Sequence, residues 1–92
     1  MPHSVRQLVY FRGNVQGVGF RMTTHRIAGG YAVVGFVRNL PDGRVELLVE
    51  GSKSELTAFL TEIQQQMGHH VTDSELDTQD ASGEFNRFEI RY

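Results

Sequence analysis

Alternating side chains mark the first segment of the chain as a β-strand. Residues 5–12 (VRQLVYFR) are rich in β-branched and aromatic types, with Val5, Val9 and Phe11 on one parity and Leu8 on the other. A period of two residues places these two sets on opposite faces of a sheet, and apolar residues on both faces are typical of an interior strand. The pattern therefore predicts a central strand over residues 5–12.

The middle of the chain repeats the strand pattern twice around a turn. Residues 33–39 (VVGFVRN) and 44–50 (RVELLVE) have strand character, and the second segment carries apolar residues on one face and mostly charges on the other. Between them, Pro41 presets the backbone φ angle and Gly43 accepts a positive φ, as a tight turn requires. The sequence predicts a β-hairpin over residues 33–50.

Helical spacing appears in two other segments. Apolar and small residues recur every three or four positions from Phe20 onwards, which predicts a helix of about three turns that ends near Gly29 and Gly30. Ser52 and Glu55 match a capping box at the start of a second helix. The apolar stripe of the second helix comprises Leu56, Phe59, Leu60, Ile63 and Met67.

The remaining segments complete the order of elements. A weaker strand is predicted over residues 71–76, a loop over 80–83 and a last strand over 85–92. The order β-α-β-β-α-β with a short extra C-terminal strand predicts a ferredoxin-like split βαβ fold of the α+β class. This fold has one mainly antiparallel sheet with two helices on one face. Because a helical crossover makes the first two strands run the same way, segment 13–21 and Asn39 are expected on the same rim.

Composition limits the classes of protein that fit this chain. It has 92 residues, 39% of them hydrophobic, with a net charge of −2 and no cysteine. A chain of this length predicts a single domain over residues 1–92. The small net charge argues against nucleic-acid and anionic-membrane partners, and no apolar run suggests a signal peptide or a membrane span. The lack of cysteine excludes disulfides and thiolate catalysis and favours the cytoplasm.

Three glycines lie close together in segment 13–21 (GNVQGVGFR), just before an arginine. Gly17 and Gly19 stand between a strand and a helix, where glycines let backbone N–H groups turn toward one anion and the helix dipole adds positive charge. Arg21 supplies a fork of donors for phosphate oxygens. The stretch predicts a phosphate cradle, although glycine spacing alone is equally compatible with a flexible connection and an incidental arginine. It is neither a Walker A loop nor a dinucleotide fingerprint.

Two sequence blocks together resemble the signatures of the acylphosphatase family. Segment 13–21 is similar to the pattern G-x-V-Q-G-V-x-F-R, and segment 35–45 (GFVRNLPDGRV) is similar to G-x-V-x-N-x-x-D-G-x-V. The tail 83–92 (GEFNRFEIRY) also resembles the end of family members, so the resemblance covers nearly the whole chain. Asn14 departs from the basic residue of many members, and Ala32 departs from a common glycine.

The resemblance implies a hydrolase that cleaves the carboxyl–phosphate anhydride bond of acyl phosphates, with no covalent intermediate. Carried onto this sequence, the phosphate-binding arginine is Arg21 and the asparagine that orients water is Asn39. The loop that wraps the phosphate comprises Asn14, Val15, Gln16, Gly17, Val18, Gly19 and Phe20. No metal and no cofactor are implied. The expected partners are a small acyl phosphate and inorganic phosphate or another anion, without nucleic acid or membrane, for a cytoplasmic monomer.

The sequence gives no strong indication of a functional role for the histidines. His69 and His70 are adjacent, lie in a predicted loop and have no acidic or cysteine partner nearby, so a metal site is not expected there. His25, in the first helix, is interpreted as facing solvent, and His3 is interpreted as part of a frayed terminus. The carboxylate that ends the chain at Tyr92 is hypothesised to reach Arg21 if the last strand runs beside residues 33–39.

Two alternative functions stay open from the residues alone. A ferredoxin-like domain without enzymatic activity binds RNA or a small regulator, and Tyr10 on the first strand could stack a base. An acylphosphatase-like domain could instead associate with proteins or handle carbamoyl phosphate, acting on other chains in trans. Salt-dependent retention on single-stranded RNA and turnover of carbamoyl phosphate discriminate these alternatives.

Overall fold

A five-stranded sheet with two helices on one face forms the protein, in a computed structural model that describes residues 4–92. His3 lies outside the described residues. The elements are β1 Ser4–Gly13, α1 Phe20–Ala28, β2 Val33–Asn39, β3 Val45–Ser52, α2 Lys53–Met67, a short 3₁₀ turn Gly68–His70, β4 Val71–Asp80 and β5 Phe88–Arg91. Within residues 4–92, no helix combines the length and the apolar character needed to cross a bilayer.

The sheet is mixed, with the strand order β4-β1-β3-β2-β5. β1 pairs antiparallel with β3 and β4, β2 pairs antiparallel with β3, and β2 and β5 form a parallel pair. The predicted ferredoxin-like α+β fold and the interior position of the first strand are therefore confirmed. Phe11 of β1 and Asn39 of β2 both pair with Val45, from opposite sides of β3. The ends of β1 and β2 thus lie two strand spacings apart, about 9–10 Å, on one rim.

The core fills the space between the sheet and the two helices. Alternate residues of β1 and β3 point into it, and Val45, Leu47 and Val49 have no exposed surface. Full burial of an aliphatic or aromatic side chain stabilises the fold by about 1.5–3 kcal/mol, so this layer holds the rim firmly. The helices contribute Phe20, Ile27 and Ala28 from α1 and Leu56, Phe59, Ile63 and Met67 from α2.

The start of α2 follows half of the predicted capping box. The backbone N–H of Glu55 donates to Ser52 Oγ at 3.3 Å, as predicted for an N-cap serine. The carboxylate of Glu55 accepts instead from the backbone N–H of Ala32, at 2.8 Å. The other half of the predicted capping box, a bond from the backbone N–H of Ser52 to the carboxylate of Glu55, is therefore wrong. The side chain of Glu55 instead connects α2 to the segment that enters β2.

Both edge strands differ in length from the sequence prediction. β4 extends to Asp80 rather than to residue 76, because it pairs with β1 up to the Val5–Asp80 pair. β5 covers only Phe88–Arg91 rather than residues 85–92. Phe85 lies outside the strand and packs its ring 6.1 Å from that of Phe36. Every residue of β4 after Val71 is exposed, so its sequence lacks the alternation that marks a strand with a buried face.

Candidate active site

A small cavity opens at the rim where β1 and β2 end. Its volume is about 100 Å³, which exceeds the roughly 10–15 Å³ that one water needs and leaves room for a small polar group. Six of its lining residues were predicted from the sequence, and Met22, in the first turn of α1, was not. The lining comprises Val15, Gly17, Gly19, Phe20, Arg21, Met22 and Asn39.

The loop that forms one wall is anchored where it leaves β1. Gly13 has a φ of +126°, and a Cβ atom there would lie 2.5 Å from the carbonyl oxygen of His70 and 2.7 Å from the nitrogen of Thr72. Only glycine fits this close approach. The backbone N–H of Asn14 then donates to His70 O at 2.9 Å. His70 therefore supports the loop through its backbone carbonyl, a long-range role that nothing in the sequence pattern indicates.

The middle of the loop leaves its backbone N–H groups available. Gly17 and Gly19 have φ angles of +77° and +79°, and a Cβ atom at either position would meet nothing within 4 Å. The backbone conformation, rather than crowding, therefore favours glycine at both positions. Among residues 4–92, no backbone carbonyl accepts from the N–H groups of residues 15–19. Val15 is nevertheless almost fully buried, so the loop packs on the core while its N–H groups stay unpaired.

The first turn of α1 is electropositive. Gly19 occupies the N-cap in a left-handed conformation without a side-chain hydrogen bond, and the first turn contains no acidic residue. Arg21 adds a positive charge at the positive end of the helix dipole. By contrast, Ser52 caps α2, and Glu55 lies in its first turn. The start of α1 therefore has no acidic side chain or side-chain cap of its own and suits a bound anion.

Arg21 reaches from α1 to the end of the chain. Its Nη1 donates to the carbonyl oxygen of Arg91 at 3.3 Å, and its Cζ lies 4.7 Å from the ring centroid of Tyr92. β5 brings these residues there because it runs parallel to β2, as hypothesised. The contact uses a carbonyl and a ring, and no ion pair joins Arg21 to the C-terminal carboxylate within the described part of the chain.

Asn39 ends β2 and also lines the cavity. Its Oδ1 is buried and has no hydrogen-bond donor among residues 4–92. An unsatisfied buried acceptor costs about 1–3 kcal/mol, so this atom is suited to a donor that the protein itself does not provide. The amide also carries an NH₂ group, and Asn39 can therefore both accept from and donate to a small ligand.

The turn after Asn39 is braced from two directions. Asp42 accepts from the backbone N–H of Arg44 at 3.1 Å and from its Nε at 2.8 Å. The backbone N–H, together with the guanidinium, lowers the pKa of Asp42 below its ordinary value despite partial desolvation. Gln16 from the loop donates to the carbonyl oxygens of Leu40 and Arg44. Two predicted loop residues, Asn14 and Gln16, thus use hydrogen-bonding groups to hold the loop in place rather than to line the cavity.

The other candidate residues lie away from the cavity lining. His25 is exposed on α1, with its ring 6.2 Å from that of Phe88. The rings of His69 and His70 lie 4.0 Å apart. In the part of the chain that the structure describes, no group of three or more histidine, cysteine or acidic residues could hold a metal ion.

Tyr10, the candidate base-stacking residue, lies on the face of the sheet opposite the helices. The guanidinium of Arg44 covers its ring, with Cζ 4.5 Å from the centroid. One face of the ring is therefore already used by an intramolecular contact.

The fold and the rim define a ferredoxin-like α+β protein with a glycine-bearing loop between its first strand and first helix. A family model described as acylphosphatase matches residues 7–90. An acylphosphatase of Acaryochloris marina is 39% identical over 98% of this chain and 97% of its own, and one of Syntrophus aciditrophicus is 40% identical over 91% and 88%. The crystal structure of acylphosphatase from Bacillus subtilis superposes with a TM-score of 0.87 at 32% identity, covering 96% of this chain and 99% of that one.

The chain belongs to the acylphosphatase family. It is accordingly an enzyme, a hydrolase of the acylphosphatase class. The expectation drawn from the two sequence blocks is confirmed at this level.

Proposed function

We propose that this protein hydrolyses the carboxyl–phosphate anhydride bond of small acyl phosphates at the cavity between α1 and the end of β2. The products are a carboxylate and inorganic phosphate. The observation that carries the proposal is that Asn39, whose Oδ1 has no hydrogen-bond partner among residues 4–92, lines the same cavity as Arg21 and the glycine-bearing loop. Family membership supports the type of reaction, and the geometry supports the roles of the individual residues.

The loop binds the phosphate through its backbone. The N–H groups of residues 15–19 have no backbone acceptor in the described chain, and space is open beside Gly17 and Gly19. Consecutive N–H groups ahead of a helix form a nest that suits a phosphate dianion. Such contacts do not depend on the acyl group of the substrate, because they bind only the phosphate oxygens.

Arg21 neutralises the charge of the phosphate. A guanidinium offers two parallel N–H donors, and the contact to Arg91 uses only Nη1. Phosphoryl transfer passes through a loose transition state with charge spread over the equatorial oxygens, and positioned cations stabilise that charge. The restraint by β5 keeps the arginine oriented before the substrate arrives, which reduces the ordering cost at the reaction step.

Asn39 orients the attacking water. Its Oδ1 accepts from the water, whose oxygen then attacks phosphorus in line with the bond to the leaving carboxylate. The carboxylate leaves with the electron pair of the broken P–O bond. An amide is a poor base, so the water proton passes to a phosphate oxygen of the substrate. No covalent intermediate forms in this sequence.

We further propose that the reaction needs no additional group and that the enzyme acts alone. A carboxylate is a good leaving group and needs no strong general acid, so the proposed reaction requires neither a metal nor a cofactor. Inorganic phosphate and similar anions compete with the substrate for the loop. The enzyme acts as a cytoplasmic monomer with one domain over residues 1–92, and it accepts a broad range of acyl groups.

Hydrolysis of benzoyl phosphate in ¹⁸O-labelled water with EDTA present tests the proposal. We expect one labelled oxygen in the released phosphate and none in the benzoate, because the water attacks phosphorus. Carbamoyl phosphate, assayed in parallel, is expected to turn over as well, since the loop recognises the shared phosphate. Label in the benzoate would place the attack at the carbonyl carbon and contradict the role of Asn39. Loss of turnover in EDTA would contradict metal-independent hydrolysis.

A further inference from the structure

The side chain of Gln16 joins the phosphate loop to the hairpin turn that follows Asn39. Its Nε2 donates to Leu40 O at 2.8 Å and to Arg44 O at 2.9 Å. Both acceptors are carbonyl oxygens, so the NH₂ group must face the turn and both of its hydrogens are used. Gln16 is half-buried, so these bonds are partly protected from competing water.

The two acceptors are also the carbonyls that close the turn. The N–H of Leu40 donates to Arg44 O at 2.8 Å, and the N–H of Gly43 donates to Leu40 O at 3.1 Å. Each of these carbonyls therefore accepts one bond from the turn and one from Gln16. Leu40 directly follows Asn39, so Gln16 contacts the backbone one residue from the group proposed to hold the water.

Other hydrogen bonds hold the loop at its two ends. Asn14 N donates to His70 O at the start, and Gly19 O accepts from Thr23 N at the end, both at 2.9 Å. Among residues 4–92, the bonds of Gln16 are the hydrogen bonds that link residues 14–20 to residues 39–45. The relative placement of the two halves of the site therefore depends on Gln16 together with core packing.

We infer that Gln16 is a positioning residue that fixes the distance between the phosphate held by the loop and the water held by Asn39. The inference rests on the proposed function of the cavity. It separates binding from turnover: the loop retains its N–H groups when Gln16 is replaced, whereas the water loses its alignment with phosphorus. A misplacement of about 1 Å costs on the order of 100-fold in rate.

A double-mutant cycle with benzoyl phosphate tests the inference. We expect Gln16→Ala to lower kcat by about 10–100-fold, with little change in inhibition by inorganic phosphate. In an Asn39→Ala background, the same substitution should lower kcat by less than about twofold, because the residue that it positions is gone. Gln65→Ala, an exposed glutamine on α2, serves as the control in both backgrounds.

Gln16→Met guards against a general loss of fold. It keeps the length of the side chain and removes both donors without placing a charge against the two carbonyls. Thermal unfolding of each variant is measured beside kcat, and a variant that remains folded at the assay temperature is used for the cycle. The same coupling to Asn39 is expected for this variant.

The outcomes separate this inference from the proposed function. Impaired turnover in Asn39→Ala upholds the proposed role of Asn39. An equal fold-loss from Gln16→Ala in both backgrounds would then overturn only the positioning role, because it would show a general stabilising effect. An unchanged kcat in Gln16→Ala would overturn it too. Full activity of Asn39→Ala would overturn both proposals.

Discussion

The guanidinium of Arg21 lies over the ring of Tyr92, with its Cζ 4.7 Å from the ring centroid. The neighbouring carbonyl of Arg91 accepts from the same side chain at 3.3 Å. The last two residues of the chain thus restrain the arginine proposed to bind the phosphate. The side of the ring away from Arg21 faces solvent, since Tyr92 is 96% exposed. The restraint is therefore a local contact rather than part of the core.

We predict that Tyr92→Ala has a modest effect. A cation–π contact at an exposed site contributes about 0.5–1 kcal/mol, so KM for benzoyl phosphate should rise by no more than about fivefold. Tyr92→Phe keeps the ring and should behave like the wild type. Because the contact uses the ring and a carbonyl, a short Gly-Ser extension after Tyr92 should leave KM unchanged. A rise in KM with that extension would show that the free carboxylate is needed.

Gly17 and Gly83 form a matched pair for testing the loop. Their φ angles are +77° and +73°, and open space surrounds the position of a Cβ atom in both. Each change to alanine should therefore cost about 1–2 kcal/mol of unfolding free energy, from backbone strain. Only Gly17→Ala should also reduce turnover of benzoyl phosphate, since Gly17 lines the cavity. Urea unfolding measures the stability of both variants, and steady-state kinetics measure their turnover. Equal turnover in the two variants would show that the loop takes no part in the reaction.

Asn39→Ala should lower kcat by about 100-fold or more while KM changes far less. The reason is that the substitution disturbs the attacking water and leaves the phosphate contacts of the loop and Arg21 in place. Steady-state kinetics with benzoyl phosphate measure both constants. Asn86→Ala, an exposed asparagine, provides the control. A variant whose KM rises while kcat is kept would assign Asn39 to binding instead.

Glu50 holds the segment that leads into β5. This buried carboxylate accepts from Arg6 Nε at 2.8 Å, from the N–H and hydroxyl of Ser82 at 2.9 Å each, and from Gly83 N at 3.1 Å. Burial alone would raise the pKa of Glu50, but the hydrogen bonds from Ser82, Arg6 and Gly83 together outweigh burial. The pKa therefore lies below its ordinary value. The ionised carboxylate thus holds Ser82 and Gly83 in place.

The depressed pKa predicts how stability depends on pH. The unfolded chain has a glutamate pKa of about 4.3, so the contribution of Glu50 is complete above that value and is lost as pH falls through the lower folded pKa. Glu50→Gln should cost about 1–3 kcal/mol at pH 7 and less at pH 3, in urea unfolding. Glu75→Gln, at an exposed carboxylate that pairs with Arg12 rather than with Arg6, is the control. An equal loss of unfolding free energy at both pH values would show that the ionised form of Glu50 does not stabilise the fold.

Alternation and helical spacing were sufficient to predict the elements that bury one face. β2 begins and ends where the pattern of residues 33–39 placed it. The edge strands were harder, because every residue of β4 after Val71 is exposed and its last residues carry no apolar signal. Phe85 was assigned to the last strand by its hydrophobicity, although it packs on Phe36 outside the strand. Edge strands are defined by backbone pairing, which composition does not indicate.

The sequence indicated which residues line the cavity but not what holds them there. Arg21 was indicated by the glycine stretch and by the resemblance, Asn39 by the resemblance alone, and both line one cavity. The bonds of Gln16 to Leu40 and Arg44 span 24 and 28 positions of the chain, and local patterns carry no information at that separation. The support of the loop by His70 O is similarly long-range.

Hydrolysis of benzoyl phosphate by the wild type and by Arg21→Ala, with EDTA present, tests the central claim most directly. Arg26→Ala, an exposed arginine on the same helix, is the matched control. We predict turnover in the wild type and in the control, and a loss of at least about 100–1,000-fold in Arg21→Ala, because a single transition-state donor has that effect. Turnover that survives in a folded Arg21→Ala protein, or its absence in the folded wild type, would contradict the account.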